Sequence, residues 1–295
     1  MTPLPRWLGI AILLAIAVTF SLNHIAARIA FDHGASVVTG VVFRSGGTAL
    51  ALLALLLALR VPLALPAPTR WRAFAIGIVV AVQSYCIYAA VARLPVALAL
   101  LTFNTYPLLF ALMAWAAGME RPSRSAFAAM LVAFFGLALA LDVTRGGGEL
   151  AARWDEIGTG VAFATGASLS FALVLFLNAR WLQGVDGRLR SFFTMSSCSA
   201  AAIAGAAATG FALPADTIGW LGLILLTLFY GSAITALFVF QPLMRSASDV
   251  AVLNFEPVAL LFLGWVILGQ SLGPLQIAGA LIVIGSVVAL GMAKR

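Results

Sequence analysis

Charged side chains are scarce in this sequence. Asp, Glu, Lys and Arg make up 9% of its 295 residues, where a soluble domain carries roughly 25%. That scarcity excludes a water-facing surface over most of the chain. Lysine is scarcer still. Lys294 is the only one, so no GxxxxGKS/T phosphate loop exists and ATP coupling within the chain is excluded. Histidine occurs only as His24 and His33, and no HExxH pattern is present. Cys86 and Cys198 form neither a CxxC pair nor a metal-type cluster, and are expected to be small buried fillers. No cofactor and no metal are expected. The recognisable acid-base, metal or nucleophile cluster that an integral membrane enzyme would need is missing.

What is present is apolar. The chain is 63% hydrophobic, and segments of about 20 apolar residues can cross a hydrocarbon core of roughly 30 Å. Ten such segments begin near Trp7, Ser36, Trp71, Pro95, Ser125, Ile157, Arg188, Ile218, Ala247 and Gly273. The first is too long for a signal-peptide core and lacks a clear cleavage site, so it reads as a retained membrane helix. A β-barrel is disfavoured, because its strands would alternate polar and apolar residues. The expectation is an all-α polytopic membrane protein with the lipid bilayer as its main solvent.

The formal charge of +7 could suggest nucleic acid, but its distribution argues against that partner. With the N-terminus in the cytoplasm, that side receives Arg6, Arg60, Arg70, Arg72, Arg121, Arg124, Arg180, Arg188, Arg190, Arg245, Lys294 and Arg295. The other side receives Arg28, Arg93, Arg145 and Arg153. This is the positive-inside asymmetry, and it predicts both termini inside.

An internal repeat stands out. TFNTYPLLFALMAW begins at Thr102 and LNFEPVALLFLGW at Leu253. Asn104, Pro107 and Trp115 recur as Asn254, Pro257 and Trp265, each 150 residues on (254 − 104 = 257 − 107 = 265 − 115). Glu120 and Gln270 follow the two stretches, and Gly136 and Gly285 lie in the next spans. The expected organisation is a first five-helix repeat over 1–147 and a second over 148–295. Five crossings per repeat invert the second half relative to the first. That design is common in transporters, whose substrate sites lie at the repeat interface near the midplane.

Each Pro removes a helix hydrogen bond and clashes with the carbonyl four residues earlier, here that of Phe103 or Leu253. In lipid such a carbonyl must face protein, water or a ligand. Pro107 and Pro257 are therefore expected to break their helices beside a cavity. A plain structural kink is the competing reading.

LPVALALLTFNTYPLLFALMAW, GMERPS and ASDVAVLNFEPVALLFLGWVILGQSLGPLQIAGALIVIG resemble the EamA-type branch of the drug/metabolite transporter superfamily. The resemblance covers essentially the whole chain and is most specific in the fourth–fifth and ninth–tenth segment pairs. It implies a ten-helix fold and metabolite transport, usually export, across a bacterial inner membrane. Within that branch the chain looks like the YddG-type exporters of aromatic amino acids.

Polar residues inside spans need a partner or a task. Glu256 could carry a proton, bind a substrate ammonium, or serve as a paired carboxyl that locks two helices. Arg44 could bind a substrate carboxylate, but snorkelling outward or pairing with an acid is the preferred reading. His24 beside Asn23 could sense protons, and a hydrogen-bonded structural histidine is preferred. Gln83, Ser84, Tyr85 and Tyr88 in the third span, and Phe229, Tyr230 and Ser232 in the eighth, combine aromatic walls with hydrogen-bonding groups, as small-molecule pockets do. With Asn104, Tyr106, Asn254 and Glu256 they make up the expected substrate cavity. The partner expected there is a small metabolite, most specifically a neutral or aromatic amino acid. Broader metabolite carriage is the alternative. A channel is less favoured, because neither a filter loop nor a symmetric pore is visible.

Overall fold

The computed structural model describes residues 6–118, 124–140, 147–182, 184–240, 255–270 and 273–292. All regular structure among them is helical: α1 (Arg6–Asp32), α2 (Val37–Ala58), α3 (Ala67–Val91), α4 (Val96–Phe103), α5 (Tyr106–Ala116), α6 (Arg124–Ala140), α7 (Gly147–Trp181), α8 (Gly187–Thr209), α9 (Thr217–Phe240), α10 (Glu256–Leu268) and α11 (Pro274–Met292). Seven helical stretches among the described residues are long and apolar enough to cross a membrane. Three shorter apolar helices cover Leu131–Ala140, Val258–Leu268 and Pro274–Ser286. The ninth expected segment begins near Ala247, and its first part lies outside the described residues.

Local sequence sets the helix ends. The Ser36 hydroxyl accepts the Thr39 amide and caps α2. Asp186 accepts the Arg188 amide at 2.8 Å at the start of α8. Asp216 accepts the Gly219 amide at 2.8 Å at the start of α9. Such caps satisfy amides that the first helical turn leaves without partners. The span expected to begin near Pro95 and to break at Pro107 is two helices, because the chain turns at Asn104 and Thr105 and restarts with Pro107 in the first turn of α5. Proline suits that first turn, where no amide donor is needed. Helix α7 begins at Gly147, ahead of the expected Ile157, because Ala, Leu, Glu and Arg in residues 149–156 are good helix formers. The 147/148 repeat boundary thus falls in the first turn of α7.

Helix α1 packs on α9 and α10, α2 on α8 and α9, and α3 on α7 and α8. Helix α4 lies against α7 and α10, α5 against α7, and α6 against α11. The main core includes Ile25, Leu52, Ile76, Tyr88, Leu100 and Leu223. The outer faces carry exposed Leu50, Ile78, Phe135, Leu228, Phe262 and Leu281, an apolar surface suited to lipid. Trp7, Trp71 and Trp220 are exposed near the starts of α1, α3 and α9, where an aromatic belt would sit.

Glycines allow the closest helix approaches. A Cβ on Gly222 of α9 would sit 2.9 Å from the Ala26 carbonyl oxygen and 2.8 Å from the Ala30 nitrogen of α1. Small residues of this kind let backbones touch across membrane helices. At one end of the bundle the α1–α2 turn is tied to the segment before α9. Ala215 N donates to His33 O at 2.9 Å, Ser36 N to Ala212 O at 3.0 Å, and Thr39 Oγ1 to Ala212 O at 2.7 Å. His33 Nδ1 lies 2.7 Å from Asp216 Oδ2.

Candidate substrate cavity

A cavity of about 260 Å³ lies where α1, α2, α3, the end of α4, α5, α7, α9 and α10 converge. Its walls are largely aromatic and aliphatic. Tyr106 packs edge-on against Phe171 with centroids 4.7 Å apart, and Phe103 lies 5.4 Å from both rings. Phe20 meets Tyr230 edge-on at 5.8 Å. Ile87, Ile234 and Leu237 complete the apolar lining.

The polar groups are few and differently held. Asn104 ends α4, and its side-chain amide donates to Leu100 O at 2.7 Å. Thr105 in the same break lies 3.0 Å from the Ser168 hydroxyl of α7, which ties the break to the second half of the chain. Glu256 is the first residue of α10, and its backbone carbonyl accepts from the Ser21 hydroxyl of α1 at 3.1 Å. Its carboxylate Oε1 lies 3.6 Å from His24 Nε2. The other ring nitrogen of His24, Nδ1, is buried without a hydrogen-bond partner.

Arg44 projects from α2 and also lines the cavity. Its guanidinium carbon sits 4.2 Å from the Tyr230 ring centroid and 5.0 Å from that of Tyr88. Nη2 donates to the Ser84 hydroxyl. The preferred reading of the sequence, snorkelling or pairing with an acid, does not hold. Arg44 is 3% exposed and pairs with no carboxylate among the described residues. The reason is its place on α2, seven residues past Val37 (44 − 37 = 7) on an inward face, from which its stem does not reach the helix end.

Of the residues expected from sequence, His24, Gln83, Asn104, Tyr106, Tyr230 and Glu256 line this cavity. Asn23, Ser84 and Tyr88 stand directly behind it. Asn23 donates to Leu226 O at 2.8 Å and its amide lies 3.3 Å from the Tyr88 hydroxyl, so these two buried groups join α1, α3 and α9. Tyr85 points elsewhere. It is 38% exposed, meets Phe163 edge-on, and lines an outer groove between α2, α3 and α8. Phe229 packs against the core, and Ser232 is exposed and bonded to its own helix. Asn254 lies outside the described residues. Phe20, Ile87, Phe103, Phe171, Ile234 and Leu237 were not singled out by sequence, because an apolar residue in an apolar helix carries no distinguishing signal.

The cavity holds no grouping of metal ligands: among the described residues no cluster of three His, Cys, Asp or Glu exists. Its makeup can bind and orient a small amphipathic solute through stacking faces, one cation, one carboxyl and several amide or hydroxyl groups.

The EamA-like transporter family matches residues 7–141 and again 158–292. No curated protein matches the chain. A solved structure described only as "Crystal structure of protein" superposes with a TM-score of 0.64 at 18% identity, covering 97% of this chain and 96% of that one. At that identity the likeness concerns the fold alone.

Proposed function

Because the chain belongs to the EamA-like transporter family and is a multi-pass membrane protein that carries small molecules, we propose that it exports neutral and aromatic amino acids by alternating access around the cavity at the helix breaks. One observation carries this reading: rings from both halves of the chain, Phe20, Tyr106, Phe171 and Tyr230, wall a single space that also contains Arg44, His24 and Glu256. A volume of about 260 Å³, just below the roughly 300–1,000 Å³ of drug-sized ligand pockets, suits a small solute of amino-acid size.

A five-plus-five inverted repeat over 1–147 and 148–295 is part of the proposal. Helix pairing supports it. Exchange α1 with α7, α2 with α8, α3 with α9, α4–α5 with α10, and α6 with α11. The α1–α9 contact then becomes α7–α3, α2–α9 becomes α8–α3, and α1–α10 becomes α7–α4 and α7–α5, all of which occur. The α2–α8, α4–α10 and α6–α11 contacts map onto themselves. The paired breaks agree as well: Tyr106 and Glu256 are the first residues of their half-helices, each followed by Pro. Two such halves can rock about the space between them. The arginine distribution favours a bacterial inner membrane with both termini cytoplasmic.

A second reading has its own support. Ile87, Ile234 and Leu237 in the lining accept aliphatic chains as readily as rings, which favours a broader metabolite carrier. Purified protein in liposomes, given labelled phenylalanine, leucine, threonine and a polar metabolite in parallel, separates the two. Saturable phenylalanine and leucine flux supports amino-acid export. Equal flux of all four favours the broad carrier, and flux of none refutes both.

A further inference from the structure

We infer that Arg44 is the anchor for a substrate carboxylate, so that the cavity selects solutes carrying a carboxylate beside an apolar side chain. The inference rests on the transporter reading and names the head group that the cavity recognises.

The argument is one of unmatched charge. A guanidinium remains charged in proteins and has five N–H donors. Arg44 is 3% exposed, so bulk water has little access to those donors. The Ser84 hydroxyl accepts from Nη2, while Nε is buried with no acceptor. No carboxylate among the described residues is within ion-pair reach of Arg44. The nearby acid, Glu256, instead faces His24 at 3.6 Å. The Tyr230 and Tyr88 rings attract the cation, but ring faces accept no bidentate hydrogen bond. A buried cation whose partners are all neutral, a serine hydroxyl and two tyrosines, is costly unless an anion completes it.

The geometry also limits where that anion can be. Arg44 opens on the cavity lined by Phe103, Tyr106 and Phe171. A carboxylate at the guanidinium would leave the adjoining side chain against those rings. A planar guanidinium matches a carboxylate through two parallel N–H···O bonds. Tyr230, stacked on the cation and packed edge-on to Phe20, fixes the plane that the guanidinium presents. A purely structural Arg44 would need only the rings and Ser84, and nothing would follow for substrate choice.

The test compares matched solutes on the wild-type protein in liposomes: phenylalanine with phenethylamine, and leucine with isoamylamine. Each amine lacks only the carboxylate. Hydrogen bonds to charged groups predict that each amine competes about 10- to 150-fold less well than its amino acid. Arg44→Lys keeps the charge but loses the fork, and should shrink that ratio. Arg44→Gln should abolish it. Competition by the amines as strong as by the amino acids, in the wild type, overturns the proposal without any variant having to fold. An unchanged ratio in Arg44→Lys and Arg44→Gln overturns it as well. If the leucine pair shows the ratio while phenylalanine is not carried, the aromatic assignment fails and the Arg44 anchor stands. If no carboxylate solute is carried, both fail.

Discussion

Replacing Gly279 with Ala should destabilise the protein, while the same change at Gly285 on the same helix should not. A Cβ on Gly279 would sit 2.5 Å from the Gly136 carbonyl oxygen and 2.9 Å from Ala140 Cα of α6, and closer still to the Ala140 nitrogen. Those are backbone atoms and cannot rotate away. Ordinary contact begins at 3.4 Å, so α6 and α11 would have to part by 0.9 Å (3.4 − 2.5) along that line. Overpacking of this kind costs about 1–3 kcal/mol. At Gly285 nothing among the described residues lies within 4 Å, so Ala only removes the helix penalty of Gly, a gain of up to about 1 kcal/mol. The same helix gain applies at Gly279, so the two variants should differ by the overpacking cost, about 1–3 kcal/mol. At about 2–4 °C per kcal/mol the apparent Tm in detergent should differ by about 2–12 °C, with Gly285→Ala the higher. Equal Tm values, or a more stable Gly279→Ala, would refute the close α6–α11 contact.

Tyr106→Ala should weaken phenylalanine transport, whereas Tyr85→Ala, on the outer groove, should leave it unchanged. Aromatic pairing worth about 0.5–1.5 kcal/mol makes the expected loss of affinity at Tyr106 at least about 2- to 13-fold, read as KM in a liposome flux assay. Equal loss in both variants would mean that the wall is drawn wrongly. Glu256→Gln should abolish gradient-driven flux but leave counterflow intact if the carboxyl carries protons, and unchanged flux in both assays would remove it from the mechanism. At the tied end of the bundle, the Gly219 amide and then the His33 ring hold the Asp216 carboxyl below the usual carboxylate range. A carboxylate depressed in this way adds stability above its unfolded pKa, which is lost as pH falls through the lower folded value. Asp216→Asn should thus lower Tm at pH 7, and the gap from wild type should close as pH falls below the unperturbed Asp value of about 3.9 and through the lower folded value. A gap that is constant with pH would contradict the tie.

The helices were legible because apolar runs of spanning length have few other readings, and their starts near Trp7, Ser36, Arg188, Ile218 and Gly273 fall within a residue or so of helix starts. The break in the fourth span was legible from Pro107, yet the turn comes earlier, at Asn104–Thr105. Proline constrains the residues before it, and the Asn104 and Thr105 side chains donate to Leu100 O and Thr102 O, carbonyls of the last turn of α4. The cavity was legible only where polar or Tyr residues mark it. Its Phe, Ile and Leu lining looks like any other part of an apolar helix. Rotation about a helix axis decides which residue faces inward, and these helices are apolar on all sides, so neither the outward turn of Tyr85 nor the inward turn of Arg44 could be read from spacing. Only packing against α8 and α9 resolves them.

The central claim is that one substrate-sized space serves both faces of the membrane in turn, and counterflow tests it most directly. Liposomes containing the purified protein and loaded with unlabelled phenylalanine are placed in a trace of labelled phenylalanine. Alternating access predicts saturable uptake of label, faster in loaded than in empty vesicles, and a transient accumulation above the outside concentration. Uptake that is linear in concentration and indifferent to the internal load would contradict it.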